Sequence, residues 1–505
     1  MKANLTECST HPLLVPPKLM RDNKYNVILK TTSLFGSVQG LSILLNIIRT
    51  KIVAILLGAE GVGLNSIYNE TRELLHSTSN LGLDVSGVRG ISKAYEELED
   101  CKGTANHDTL RSHLSNEVAL LRSWVVILAL FGTLLCLVFA APLSLFTFSD
   151  YDHTWGYALL SPAVGFSTVT CGELAVLKGL RKLRWLALVS LLNVVMGLVV
   201  TLPIYYVWGV NGVLPALVAF TFACMTLTCA YSNRAEKLRF VFNRKALGKG
   251  SKMLSVGFNF VVCSIIGHVS LLGIQAWLNN YASLEVVGLY NAGYSLTMTY
   301  AGMVFAAMET DYFPRLSGII TDSKARAETL LKQQDVTLIL ITPLLTAAIV
   351  LLPVMVPLLL SGEFESIIPM TQITAVGLLF RAVYLPNAYM SLAAGDNKTF
   401  LAINTIGAID ILLVIAGYYY YGLTGMGVAL TVQNAIDMLL VIGISKWKYG
   451  VSFGINRIIS LCAFTLLLCL TYACCHLLDG IAYWATGTFL TLLTTLYSYI
   501  RYRKA

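Results

Sequence analysis

The sequence predicts an all-α, polytopic membrane protein with about fourteen spans, arranged as two related six-helix halves followed by two extra helices. Three observations carry that expectation. Of 505 residues, 56% are hydrophobic and 13% charged, where a soluble domain has about 25% charged. Apolar runs of the roughly 20 residues needed to cross hydrocarbon recur from near residue 31 onward. Lys and Arg collect in alternate loops, as they do on the cytoplasmic side of a membrane.

Hydropathy bounded by turn residues places spans near 31–57, 62–88, 117–141, 154–177, 185–207 and 210–231. A second series follows near 254–279, 286–312, 334–360, 369–394, 399–421 and 424–444, with two more near 456–477 and 481–500. The loops test this order independently. Lys178, Arg181, Lys182 and Arg184 fill one, and Arg234, Lys237, Arg239, Arg244, Lys245, Lys249 and Lys252 the next of the same parity. Arg315, Lys324, Arg326 and Lys332, then Lys446, Lys448 and Arg457, continue the series. The intervening loops carry acids, among them Glu60, Asp150, Asp152, Glu285, Glu363, Glu365 and Asp479. Both termini are therefore expected to be cytoplasmic. The net charge of +8 reads as this topology signal plus attraction to anionic lipid, not as a nucleic-acid surface.

The expected domains are 1–30 as a cytoplasmic segment, 31–231 as a first lobe, 232–253 as a basic linker, 254–444 as a second lobe, and 456–505 as accessory helices with a tail. The first segment lacks the charged-then-apolar-then-small layout of a cleaved signal. The 11 cysteines show no Cys-x-x-Cys spacing and read as small hydrophobes, so neither disulfides nor a metal site are expected.

An internal repeat underlies the two lobes. Glu60-Gly61-Val62-Gly63-Leu64-Asn65 is matched about 225 residues on by Glu285-Val286-Val287-Gly288-Leu289-Tyr290-Asn291. Gly209-Val210-Asn211-Gly212-Val213 is matched by Gly422-Leu423-Thr424-Gly425-Met426. Six spans separate each pair, so the copies share one orientation and are related by an axis along the membrane normal; carriers built this way bind substrate between the halves.

Five cations fall inside predicted helices: Arg49, Lys51, Arg72, Arg122 and Arg381. A charge at the centre of a span costs roughly 2.5–3.5 kcal/mol, so each needs a wet cavity or an anionic partner. Arg122 is placed near a helix end, from which it can snorkel to the interface. On the second span Asn65, Asn69, Arg72, Glu73, His76, Asn80 and Asp84 recur at helical spacing and form one polar stripe. That stripe is either one wall of a hydrophilic cavity or a buried face whose polar groups satisfy one another. The seventh span echoes it with Ser264, His268, Gln275 and Asn279. The candidate substrate-binding residues are accordingly Arg49, Lys51, Arg72, Arg381, Asn69, His76, Asn80 and Gln275. Glu73, Asp84, Glu309 and Asp311 are candidates for coupling an ion, with structural pairing equally open for each; Glu70, Glu173, Asp410 and Asp437 also lie within spans.

The string from Leu45 to Leu64, which includes Asn46, Arg49, Lys51, Gly58, Glu60, Gly61 and Gly63, resembles the first-span signature of bacterial polysaccharide flippases of the O-antigen type. Gly288-Leu289-Tyr290-Asn291-Ala292-Gly293-Tyr294 and Asp311-Tyr312-Phe313-Pro314-Arg315-Leu316-Ser317 resemble their second-half counterparts. The superfamily also holds multidrug exporters and lipid II flippases. The resemblance implies a V-shaped cavity between two lobes, opening alternately to each side. It implies transport of undecaprenyl-diphosphate-linked oligosaccharide, driven by a proton or sodium gradient, with no cofactor and with polysaccharide polymerases as candidate partners. Arg49 falls where lipid II flippases carry a cavity arginine. Two alternatives stay open: a multidrug exporter, which calls for a more acidic cavity, and a membrane glycosyltransferase or polymerase, which calls for larger outer loops. A nucleotide-driven pump has no support, since Gly248-Lys249-Gly250 lacks the following hydroxyl of a phosphate-binding loop.

Overall fold

The computed structural model describes residues 17–100, 107–243, 248, 258–406 and 410–504. Among those residues, all regular secondary structure is helical. Nine of the described helical stretches are long and apolar enough on their own to cross a membrane. Three of these run 41, 53 and 53 residues and contain sharp breaks. Two further long helices, Leu284–Gly318 and Gly480–Lys504, fall outside these nine.

The first lobe contains α1 (Pro17–Asn80), α2 (Leu83–Asp100), α3 (His107–Phe148), α4 (Thr154–Gly179), α5 (Leu183–Trp208) and α6 (Val213–Ala235). Helix α1 holds the first two expected spans and folds between them at Gly58, whose φ of 63° suits a residue without Cβ. The new helix start leaves orphan N–H groups, and the Ala59 N–H donates to the Glu363 carboxylate at 3.3 Å. The second half of α1 stops earlier than expected. Leu81 and Gly82 both take positive φ, 48° and 73°, so the apolar run to residue 88 is split and α2 starts afresh. Helix α2 is amphipathic: Leu83, Ile91, Ala94 and Leu98 are buried while Arg89, Lys93, Glu96 and Glu97 face outward.

Arg122 does not snorkel. It sits within α3, 1% exposed, with both carboxylate oxygens of Glu173 on α4 at 2.9 Å from Nε and Nη2. Its remaining N–H groups donate to the Lys237 carbonyl at 2.9 Å and Ser232 Oγ at 3.0 Å, so it ties the end of α6 to α3 and α4. The apolar sequence around it misleads because burial against a facing acid is invisible in one stretch of sequence.

The second lobe contains α7 (Phe258–Tyr281), α8 (Leu284–Gly318), α9 (Ser323–Leu359), α10 (Ile368–Ala393), α11 (Asn397–Ile406) and α12 (Asp410–Tyr449). The repeat is visible in three dimensions. Gly209 and Gly422, the matched glycines, both break the chain at positive φ, 54° and 59°. Matched Gly63 and Gly288 pack on each other's turns: a Cβ on Gly63 would lie 2.1 Å from the Leu284 carbonyl, and one on Gly288 1.9 Å from the Ala59 carbonyl. Asn291 Nδ2 donates to Ser66 Oγ, again a pair 225 residues apart. The pseudo-two-fold axis therefore passes between α1 and α8 at the end of the bundle that carries the acidic loops. The last helices, α13 (Ile455–Leu477) and α14 (Gly480–Lys504), dock on α9 through Arg457–Asp335 at 2.8 Å and the Tyr483 hydroxyl on the Val350 carbonyl at 2.7 Å.

Candidate functional site

Both halves of α1 carry polar residues at helical spacing, Asn46 and Arg49 on the first, Asn65, Asn69 and Arg72 on the second. The fold at Gly58 lays these faces side by side. Together with Tyr205 of α5, Phe220 of α6, and Asn291 and Ser295 of α8, they line a cavity of about 510 Å3 between the lobes. Arg49 lies about 13 Å along the helix from Gly58 and Arg72 about 21 Å, so both are near mid-membrane depth.

The two arginines differ in what answers their charge. Arg72 is bonded to Glu73 at 2.5 Å, Asn69 Oδ1 at 2.9 Å and Ser167 Oγ at 2.5 Å. Its charge is balanced within the protein. Among the described residues, Arg49 has neither an ion pair nor a hydrogen bond. Its guanidinium lies over the Phe220 ring, 5.2 Å from the centroid, in space left by Gly197, where a Cβ would come within 3.1 Å of Nη1. A face-on aromatic stabilises a cation weakly and leaves the planar N–H fork open. Among the described residues, the cavity thus presents one uncompensated positive charge with free donors, ringed by amides and hydroxyls. That arrangement suits a phosphate or carboxylate with neutral polar groups attached.

The other sequence candidates fall in different places. Asn69 shares the cavity. His76 bonds Thr168 Oγ1 on α4 at 3.1 Å, and Asn80 reaches Asp84 Oδ1 at 3.3 Å, so the far part of the stripe packs inside the first lobe. Asp84 opens α2, where a helix start favours an acid. Asn65, Asn69 and Arg72 of the stripe line the cavity, whereas His76 and Asn80 bond to neighbours within the first lobe. Gln275 is 1% exposed and lines neither this cavity nor a second one. Lys51 points away from Arg49 and donates to the Leu358 carbonyl at 2.7 Å. Arg381 lines that second cavity, of about 260 Å3 within the second lobe, with Asp437, Asn404 and Gln433. The side chains of Glu309 and Asp311 lie outside the described residues.

Several contributors escape sequence reasoning. Gly197, Tyr205 and Phe220 shape the Arg49 site, yet each reads as an ordinary helix residue. Asn291 is visible only as part of the repeat. Glu70 on α1 and His268 on the polar face of α7 are each visible in the sequence, but their meeting at 2.5 Å across the lobes is not.

A family model for polysaccharide biosynthesis proteins matches residues 28–320, more than half of the chain. The chain belongs to that family. No curated protein matches it. Among solved structures, this family member is similar to the lipid II flippase MurJ in an inward closed conformation, with TM-score 0.67 and 17% identity over 93% of this chain and 99% of that one. It is also similar to an inward-facing MATE multidrug resistance transporter of the MOP superfamily, with TM-score 0.61 and 12% identity over 84% and 96%. The MATE multidrug transporter DinF-BH gives TM-score 0.58 and 15% identity over 82% and 95%. The family member therefore has the two-lobed fold of the MOP superfamily.

Proposed function

We propose that this chain is a flippase for lipid-linked oligosaccharide in the bacterial cytoplasmic membrane. The uncompensated Arg49 in a polar inter-lobe cavity carries the reading. Moving a hydrated glycan and its diphosphate through hydrocarbon requires a polar path with a cation for the diphosphate, while the polyprenyl tail stays in lipid. Arg49 holds the diphosphate through a bidentate fork, Arg72 stands by it with its charge already balanced, and Asn46, Asn65, Asn69 and Asn291 bond sugar hydroxyls. Loose amide contacts tolerate varied glycans. The two lobes alternate access by rocking about the cavity, with the basic end cytoplasmic and an ion gradient or downstream polymerisation supplying direction.

Family membership and the MurJ-like fold support the polysaccharide reading; the MATE-like fold supports multidrug export equally as a fold. The charge of the cavity separates them, because a site with a free cation suits an anionic lipid-linked substrate and disfavours cationic drugs. The test is the pool of undecaprenyl-diphosphate-linked oligosaccharide in cells lacking the protein. Accumulation cleared by wild type and not by Arg49→Ala is expected. Unchanged lipid-linked pools with altered drug sensitivity would replace the reading with multidrug export.

A further inference from the structure

Along one flank the lobes are joined at three depths by side chains of α7. Near the acidic end Asn279 Nδ2 donates to the Thr147 carbonyl at 2.9 Å and Asn280 Nδ2 to the Phe146 carbonyl at 3.1 Å. At mid-depth His268 Nδ1 meets Glu70 Oε1 at 2.5 Å, and toward the basic end Ser264 Oγ donates to Ser77 Oγ at 3.2 Å. Of these contacts, the central one is the contact that can change charge. Glu70 is about 16 Å from the start of its half-helix and His268 about 20 Å from the acidic end of α7, too deep for either to reach water by snorkelling. Their side chains are 11% and 27% exposed.

We propose that Glu70 and His268 form a proton-binding site that links closure of this seam to uptake of one proton. The inference rests on the alternating-access reading above, since lobes that rock must strain or part this contact. The proton count follows from charge. Apart and hydrated near neutral pH, the carboxylate is ionised and the imidazole neutral, a net charge of −1. Together at mid-membrane, a lone carboxylate is costly, and an imidazolium donating through Nδ1–H to Glu70 brings the pair to zero. Closure therefore takes one proton from water onto the imidazole, and opening returns it.

The surroundings allow this exchange. On α1, Arg72, Glu73 and His76 are the other charged or titratable groups acting on the pair, and Arg72 and Glu73 cancel. Gly267 and Ser270 of α7 line the smaller cavity beside Arg381 of α10 and Asp437 of α12 on a neighbouring face of the helix, and the imidazole itself keeps 27% of its surface exposed. From α3 and α11, Arg122 and Lys398 stand at the basic end, and Arg122 is bound to Glu173. The Asp410 side chain lies outside the described residues.

The test uses the full chain in liposomes, with native cysteines replaced and spin labels at the exposed positions Tyr151 and Tyr420, one on each lobe. Inter-label distances are measured by pulsed electron spin resonance from about pH 5 to 8, the range in which imidazole titrates. The ratio of closed to open populations should fall by up to about tenfold per pH unit, the slope of one linked proton. Glu70→Gln and His268→Gln should each flatten that slope, while the exchange Glu70→His with His268→Glu should keep it. A ratio insensitive to pH in the unsubstituted pair overturns the proposal, as does an unaltered slope in either single variant. Should one single variant fail to reconstitute, the other and the exchange decide. No glycan is present in this measurement, so its failure leaves the flippase reading standing, and failure of glycan clearance leaves the slope interpretable.

Discussion

A guanidinium or ammonium in hydrocarbon persists when something answers its charge, and the five intramembrane cations differ in what does. Glu173 answers Arg122, Glu73 answers Arg72, and a carbonyl at the end of α9 answers Lys51; Arg381 faces a cavity shared with Asp437, and Arg49 has an aromatic face. All five are legible in the sequence because a charge in an apolar run is conspicuous. Their partners are not, since these come mostly from helices 50 to 300 residues away. For Arg122 the consequence is measurable. Arg122→Ala strands the Glu173 carboxylate in the protein interior and should lower stability by about 3–5 kcal/mol, whereas replacing both by apolar residues of similar volume should restore most of it. Thermal unfolding in detergent checks both. Lys448 foremost, with Thr399 and the Tyr449 hydroxyl at 3.0 Å, holds the Asp396 carboxyl well below its usual range. A depressed carboxylate stabilises the fold at pH above its unfolded value and loses that contribution as pH falls below about 4. Asp396→Asn should therefore lower the melting temperature at pH 7, with the difference from wild type shrinking in acid.

Glycines set the element boundaries, and they are legible where they repeat. The matched Gly209 and Gly422 mark the breaks before α6 and inside α12, because two copies of one turn motif outweigh a chance match. Gly82 is not legible: Leu83, Val85 and Val88 continue the apolar pattern past it around Asp84, so hydropathy runs on where the backbone turns, and the amphipathic start of α2 merges with the span before it. Gly63 and Gly288 show what the repeat is for. Each lets a helix backbone approach its counterpart so closely that any Cβ would meet a carbonyl oxygen within 2.1 Å. Gly288→Ala should insert normally yet hold the lobes apart at the acidic end, seen as a longer distance between labels at Tyr151 and Tyr420 and as lost glycan clearance. Gly58→Ala meets a milder obstacle, a left-handed backbone costing about 1–2 kcal/mol, and should lower stability while keeping the architecture.

At the scale of the whole molecule, the loop charges and the repeat together outline two lobes around a cavity from sequence alone, since both are properties of long stretches and survive errors of a few residues. The cavity walls are legible only in part. Periodicity assigns residues to a face of one helix, but which face looks inward depends on how six helices lean on one another, and so Asn69 and Arg72 reach the cavity while His76 and Asn80 turn into α4. Once folded, the arrangement reduces to a simple electrostatic statement: a polar chamber between pseudo-symmetric lobes in which, among the described residues, the unanswered charge is Arg49. The most direct test is transfer of a lipid-linked oligosaccharide between the leaflets of proteoliposomes containing the purified protein. Wild type should move it, Arg49→Lys should move it more slowly because an ammonium keeps the charge and loses the bidentate fork, and Arg49→Ala should reduce transfer to that of protein-free vesicles. Transfer by Arg49→Ala at the wild-type rate would contradict the account.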